Sequence, residues 1–383
     1  MNNKEHILIK KLDKFLEFLI KNEGSDLHIK AGSLIRGRIN GNLIKFSKDI
    51  FSKEDSYELA KALVGERGIE ELKDKKSLDF GYSLNENYRF RVNIFSQIDG
   101  LSFAFRAIPI NIPTIEELNL PSVIKTIADE SMRGLVLVTG STGSGKTTTI
   151  ASMIDHINRN RQSHIVAIED PVEYIHKDIK CMINQRSIGE DCNTFADSLR
   201  AALREDPDII FVGEMRDLET IDTAIHAAET GHLVLSTLHT LDAKETINRI
   251  VSMFGEREQE RVRLSLASVL EAVISQRLVV TTDEKRYPAV EVLRKTVRIK
   301  DMILEKRIHE ITDAIRDSGK SYGMQTFDQH LLELFRDGII TRDEALDKAT
   351  IRSDLDLAIK HIISEQKGDI AGVSQKDIKL KEL

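Results

Sequence analysis

Eight consecutive residues, Gly140-Ser141-Thr142-Gly143-Ser144-Gly145-Lys146-Thr147, spell G-x-x-x-x-G-K-[ST]. Glycines at these positions let backbone N–H groups turn inward around phosphate oxygens, and the start of the helix behind them adds positive potential. In such a loop Lys146 reaches the β and γ phosphates of a nucleoside triphosphate, and the Thr147 hydroxyl ligates Mg²⁺. Thr148, next along, completes the expected ATP contacts. The motif needs a strand before it and a helix after it. The apolar run Leu135–Val138 and the helical stretch from Thr147 to Asn158 supply that context. A chance match somewhere in a chain of this length is on the order of 1%. Mg·ATP is therefore the expected ligand.

Two further apolar runs end in acids. Ile165–Ile168 leads into Glu169-Asp170-Pro171-Val172-Glu173, and Ile209–Val212 leads into Gly213-Glu214. Beside a phosphate loop, acids at strand ends hold Mg²⁺ or orient water. Gly213 stands where many enzymes of this type carry an Asp, so Mg²⁺ falls mainly to Thr147, the phosphates and water. Glu214 is then the best candidate base, with Glu169 second. His239 follows the run Leu233–Leu235, and either senses the γ phosphate or is a hydrogen-bonded structural histidine. Cations for the transition state have to come from arginine. Arg89, Arg91 and Arg106 lie on predicted strands of the first third of the chain, and Arg204 and Arg216 flank the Glu214 strand.

The elements that position these residues follow from periodicity. Leu135–Val138, Ile165–Ile168, Ile209–Val212 and Leu233–Leu235 are continuous apolar runs separated by helical stretches. That is the pattern of a parallel sheet buried on both faces, an α/β fold whose ligands sit at the carboxyl ends of the strands. Before it, residues 1–110 read as a separate α+β domain. Ile7, Leu12, Phe15, Leu16 and Leu19 recur at helical spacing. Tyr88, Phe90, Val92 and Ile94 alternate as in a half-buried strand, Leu101–Ile108 makes another, and the glycines of Gly32–Asn42 suggest hairpins. Pro109 and Pro113 bracket an extended stretch, and the linker between the domains is placed at 111–120. The ATPase core spans 121–255, residues 256–362 read as mostly helical, and the polar tail 363–383 is expected to be disordered.

Composition narrows the function classes. The 383 residues suit two or three domains, and no apolar run reaches 18 residues. A cytoplasmic protein is expected. With 62 acidic against 55 basic side chains and a net charge of −7, no nucleic-acid partner is expected. Cys181 and Cys192 lack the spacing of a zinc site and are too few for a disulfide framework.

Taken together, Glu169–Glu173, Leu203-Arg204-Glu205-Asp206-Pro207-Asp208, Gly213–Asp217 and Glu229–His232 through Thr237–His239 resemble the acidic box, Walker B region and histidine box of the type II/IV secretion ATPases. Gly24-Ser25-Asp26-Leu27-His28 is similar to the start of that family's PAS-like N-terminal domain. Gly323-Met324-Gln325-Thr326-Phe327-Asp328 is similar to a segment of its pilus retraction branch. The resemblance covers residues 5 to 362. It implies a RecA-like ATPase domain and a homohexameric ring that powers pilus retraction and twitching motility. The ring would be docked on an inner-membrane platform protein, peripheral to the membrane, with a paralogous retraction ATPase as a further partner. By the same resemblance Lys146 and Thr147 serve nucleotide and Mg²⁺, Glu214 serves catalysis, Glu169 and His239 lie near the γ phosphate, and Arg89, Arg91 and Arg106 close over the nucleotide. The branch's charged coupling helix is matched only in pattern, by Arg298–Glu305. The Cys₄ zinc insert of many assembly and secretion members is absent here, which favours retraction. Pilus or pseudopilus assembly, secretion, and a weakly active accessory subunit stay open as alternatives.

Overall fold

A computed structural model describes residues 3–85, 88–108 and 111–364. The chain forms two compact units, one of residues 1–111 with 171–176 and 187–191, the other of the remainder.

The first unit opens with α1 (Asn3–Lys21), followed by β1 (Asp26–Lys30), β2 (Ser33–Ile39) and β3 (Asn42–Phe51). Then come α2 (Lys53–Lys75), β4 (Ser77–Asn85), β5 (Tyr88–Gln97) and β6 (Gly100–Ala107). The six strands make one sheet in the order β3-β2-β1-β6-β5-β4. Its described pairings are all antiparallel. Asn40-Gly41 joins β2 to β3 with both residues at positive φ (46° and 79°), the tight turn whose twist matches a hairpin. The alternation expected along β5 is realised: Phe90, Val92 and Ile94 are fully buried. Asn87 of that stretch lies outside the described residues. The face of α1 differs from expectation. Leu8, Leu12, Leu16 and Leu19 fill the core, and Ile7 is 58% exposed. The buried row steps back by four residues from Leu12, to Leu8, because one helix face repeats at i, i+4.

In the second unit the order is α3 (Val123–Glu130), β7 (Gly134–Thr139), α4 (Lys146–Asn160), β8 (His164–Glu169), β9 (Met182–Ser187) and α5 (Phe195–Ala202). β10 (Ile209–Val212), α6 (Leu218–Glu229), β11 (Leu233–Leu238), α7 (Ala243–Ser252) and α8 (Glu256–Val269) follow. The chain continues with β12 (Leu270–Val280), β13 (Arg286–Arg294), α9 (Val297–Leu304), α10 (Ile311–Tyr322), α11 (Phe327–Arg336) and α12 (Arg342–Lys348). Sheet order is β13-β12-β7-β11-β10-β8-β9. β12, β7, β11, β10 and β8 run parallel, and β13 is antiparallel to β12. The four expected strands are present and buried on both faces.

Three expectations for this unit are refined or corrected. The stretch 256–362 is mostly helical, as expected, but β12 and β13 are set into it at 270–294, a detail the reading lacked. A short apolar run such as Leu270–Val280 carries no period that separates a buried strand from a buried helix. The segment after Pro113 is a folded turn, not extended chain. Leu118 N donates to Thr114 O (3.0 Å), Thr114 N donates to Glu117 Oε2 (2.8 Å), and Ile115 and Leu120 are buried. Pro109 and Ile110 lie outside the described residues. Residues 363 and 364 still belong to a helix begun at 352, and the tail from 365 lies outside the described residues.

The Gly323–Asp328 segment is an anchor. Gln325 exchanges two backbone hydrogen bonds with Val292 of β13 (2.8 and 3.2 Å), and its side chain donates to Val290 O (2.9 Å). Thr326 and Gln329 form a reciprocal capping box on α11. Phe327 lies under the Arg277 guanidinium, 3.9 Å from the ring centroid. The Asp328 carboxylate accepts the N–H groups of Thr350 and Ile351 (2.7 and 2.9 Å).

Beneath this anchor, Glu291 of β13 accepts the Ala243 N–H (3.0 Å). Burial pushes its pKa up from 4.5 to about 7. The folded chain therefore holds a proton there that the unfolded chain releases, so this group's contribution is full below about pH 4.5 and is lost as pH rises through 7. At about 1.4 kcal/mol per unit, the loss is roughly 3 kcal/mol. Burial lowers His330 to about 4, which gives an opposite slope at lower pH. Both forms of the protein keep His330, so it cancels in a comparison with Glu291→Gln. Denaturant unfolding at a series of pH values should show wild type losing roughly 3 kcal/mol relative to Glu291→Gln between pH 4.5 and 8. A pH-independent difference would mean that Glu291 is charged in the fold.

Candidate active site

β7 is buried along its whole length and delivers the chain into the loop at the carboxyl edge of the sheet. Gly140, Gly143 and Gly145 all have positive φ (145°, 79° and 92°). At Gly140 a Cβ would lie 2.4 Å from the Gln276 carbonyl oxygen, so this position excludes any side chain. Gly145 is the N-cap of α4 and supplies no side-chain hydrogen bond to it, and a helix N-terminus of this kind favours an anion. Lys146 is only 8% exposed, and its Nζ donates to Gly140 O (2.9 Å) and Ser141 O (3.0 Å). The ammonium is thus held inside the loop. Ser141, Thr142 and Gly143 are exposed at the loop's crest, while Thr147 and Thr148 are half-buried on the first turn of α4.

The acids arrive from the neighbouring strands. Glu169, the last residue of β8, is buried and accepts the Gln185 side-chain N–H (3.1 Å). Gly213 N donates to Ile168 O (2.8 Å), and a Cβ at Gly213 would lie 3.3 Å from Glu169 Cα. A Cβ there would make a tight contact, and glycine lets the turn after β10 lie close to the end of β8. The same turn is fixed from β11. Thr237 Oγ1 donates to Gly213 O (2.6 Å), and Met215 N donates to Thr237 O (3.2 Å). Glu214 emerges from it with its side chain 15% exposed, ion-paired with Arg216 and 3.3 Å from His239 Nε2. Partial burial, and then the positive charges of Lys146 and Arg216, hold the His239 imidazole below its usual pKa. It is neutral at pH 7 and can exchange a hydrogen bond with Glu214 or a ligand.

Lys146, Glu214, Arg216 and His239 are thus one electrostatic cluster beside the N-terminus of α4. Ser144 Oγ, buried in the same loop, has no hydrogen-bond partner. A triphosphate fits these groups. Among the described residues no three His, Cys, Asp or Glu side chains converge on one point. Mg²⁺ would draw on Thr147 and on phosphate oxygens, as a small hard cation does beside nucleotide phosphates.

Other expected residues lie elsewhere. Arg204 is exposed after α5, just ahead of β10, and so lies toward the amino end of the strands, away from the loop. His232, at the start of β11, is bonded to Ala227 O (2.9 Å) as a structural histidine. In the first unit, Arg91 and Arg106 are register partners on β5 and β6. Arg106 Nε donates to Asp26 (2.8 Å), which lies low in pKa despite its burial because of Ser25 and Arg106. Arg89 bonds Glu190 (3.2 Å).

Comparison with known proteins decides the family. The model described as "Type II/IV secretion system protein" matches residues 1–298. The chain belongs to this family. It is 42% identical over 340 residues to "Type IV pilus retractation ATPase PilT" of Pseudomonas aeruginosa, covering 89% of this chain and 98% of that protein. "Type IV pilus ATPase PilU" of the same species is 39% identical over 349 residues, 91% of each chain. A crystal structure titled as the pilus retraction motor PilT with bound ADP is 40% identical, with a TM-score of 0.83 over 90% of this chain and 98% of that one. Gln185, bonded to Glu169, and Thr237, bonded to Gly213 O, hold the candidate site's acids in place, and sequence reasoning gave neither a role. Ser236-Thr237 was the visible signal, two polar residues inside an otherwise apolar run. Gln185, on the less buried β9, offered none.

Proposed function

We propose that this chain is the subunit of a homohexameric motor that hydrolyses Mg·ATP to power type IV pilus retraction. The observation that carries this reading is the cluster of Lys146, Glu214 and His239 at the carboxyl ends of β7, β10 and β11, in a chain alike over nearly its whole length to retraction ATPases. Lys146 and the N–H groups of Gly143 to Thr147 hold the phosphates. Glu214 is the base that takes a proton from the attacking water, with Arg216 ion-paired to it. His239, neutral, hydrogen-bonds the γ phosphate or the water. Mg²⁺, when bound at Thr147, neutralises charge on the phosphates. Arg89, Arg91 and Arg106 add cations that close over the nucleotide. The motor docks on an inner-membrane platform protein and works beside a paralogous retraction ATPase. No described helix is long and apolar enough to cross a membrane.

A weakly active accessory subunit is the second reading, favoured by the likeness to PilU. Phosphate release by the purified chain, alone and with a partner ATPase, separates the two. A motor turns over alone, whereas turnover only in the presence of the partner supports the accessory role.

Coupling supplies a further prediction. On α9, Ile299, Met302 and Ile303 are buried, whereas Arg298, Lys300 and Asp301 are exposed. Arg298 bonds Asp317 (3.2 Å). Lys300→Ala with Asp301→Ala should leave basal turnover within about twofold, since exposed charges contribute little to stability. Retraction should fail in the same mutant. Normal twitching at normal protein levels would show that these two charges carry no coupling.

A further inference from the structure

Residues 187–191 begin at the last residue of β9 but belong to the first unit. They form a turn that closes on itself. Ser187 N donates to the Asp191 carboxylate (2.9 Å), and Asp191 N donates to Ser187 O (2.9 Å). Glu190, inside this turn, is presented to Arg89 of β5, whose Nη2 donates to Glu190 Oε2 (3.2 Å). The pair lies over Gly81 of β4. A Cβ at Gly81 would stand 2.6 Å from Arg89 Nη2 and 3.1 Å from Glu190 Oε2. Gly81 is not among the glycines at positive φ, so its backbone does not call for glycine. The space above it does.

The other two arginines of this sheet are held differently. Arg106 and Asp26 are register partners on β6 and β1, 2.8 Å apart, and Ser25 Oγ also donates to Asp26 (2.8 Å). That pair is part of the sheet. Arg91 is 3.9 Å from Asp79, too far for a hydrogen bond. Arg89 alone of the three takes an acid from a turn outside the strands. Its single contact is also longer than the 2.7–2.9 Å or so of a strong charge-assisted bond. A guanidinium offers one fork to a carboxylate or to a phosphate, and cannot give it fully to both. Phosphate oxygens therefore compete with Glu190 for Arg89. Just ahead of the turn, Gln185 bonds Glu169, so one short segment touches both Glu169 and Arg89.

We propose that Glu190 is a positioning residue for the reaction: it holds Arg89 over Gly81 in the resting chain and yields it to the phosphates of bound nucleotide, which sets how tightly Mg·ATP is taken. The proposal rests on Arg89 being one of the cations that close over the nucleotide, and Arg89→Ala tests that reading separately. The size of the effect is bounded. The side chains of the pair are 37% and 26% exposed, and such a pair is worth at most about fivefold in an equilibrium.

The test is phosphate release by the purified full chain, with kcat and KM for Mg·ATP measured for wild type, Glu190→Gln, Arg89→Ala and the double variant. Glutamine keeps the size of the side chain and gives up its charge. Glu190→Gln should lower KM about threefold to fivefold and leave kcat at or above that of wild type. In the Arg89→Ala background the same substitution should shift KM by less than about 1.5-fold, because the partner it acts through is gone. A substitution that merely loosened the turn would act with or without Arg89. Gly81→Ala is an independent route to the same end. Its added Cβ displaces the guanidinium from Glu190 while both charges remain, so KM should fall in the same direction. This variant carries the test should Glu190→Gln fail to fold. An unchanged or raised KM in Glu190→Gln, or an equal fall in the absence of Arg89, would overturn the proposal. Should Arg89→Ala itself match wild type in kcat and KM, Arg89 takes no part in the reaction and the proposal falls with that reading.

Discussion

Lys146→Ala should abolish ATP turnover, by a factor on the order of 10³ or more. Its ammonium is the one cation that the loop itself holds, bonded to Gly140 O and Ser141 O within hydrogen-bond distance. Charge that develops on the transferring phosphoryl group must be met by preorganised positive groups, and removing a single such donor commonly lowers turnover by 10² to 10³. Lys146 is a full charge, so its effect should lie at the top of that range. The fold should survive. Alanine is the best helix former at the first position of α4, and the two carbonyl oxygens lie on an open loop where water can replace the ammonium. Circular dichroism should show native helix content while phosphate release at saturating Mg·ATP falls to background. Near-normal turnover would remove Lys146 from the mechanism.

Glu214→Gln should bind Mg·ATP and hydrolyse it at least about a hundredfold more slowly. The amide keeps the size of the side chain but cannot take a proton from water, and general-base catalysis is worth 10² to 10⁴. The surroundings of Glu214 make the substitution a clean one. The turn that carries it is fixed by Thr237 and Met215 through bonds that do not involve the side chain. His239 can still hydrogen-bond the amide. What changes is the charge opposite Arg216, which is largely exposed and easily rehydrated. A slow enzyme that retains nucleotide is the expected outcome. Collapse of ATP affinity would instead make Glu214 a ligand or a structural residue, and Glu169 would become the leading base.

These two positions were legible in the sequence because the signals that mark them are local. A phosphate loop is eight contiguous residues, and an acid after a buried strand falls at the edge where a doubly wound sheet gathers its ligands. The strands β7, β8, β10 and β11 were legible for a related reason, since burial on both faces leaves unbroken apolar runs. β12 and β13 were not. Their apolar residues read equally well as a buried helix, and only pairing with β7 decides between the two. In α1 the periodicity was visible but the exact face was not, because Ile7 and Leu8 differ only in which one meets the sheet. Gln185 and the Arg106–Asp26 bond were hidden for a different reason. Each depends on which strands become neighbours, and no local pattern carries that information. Gly213 shows the same limit from the other side. The missing Asp was plain to see, but the close approach of the Glu169 backbone to Gly213 needed the fold.

Whether ATP hydrolysis at Glu214 drives retraction is decided in cells. A strain lacking this chain, complemented with wild type or with Glu214→Gln at matched protein levels, should be followed by time-resolved microscopy of labelled surface pili. Wild type should restore shortening of pili, whereas Glu214→Gln should leave cells with abundant pili that extend and do not retract. Pili that still shorten at the normal rate in the Glu214→Gln strain, or a deletion that removes pili altogether, would contradict retraction driven by hydrolysis at Glu214.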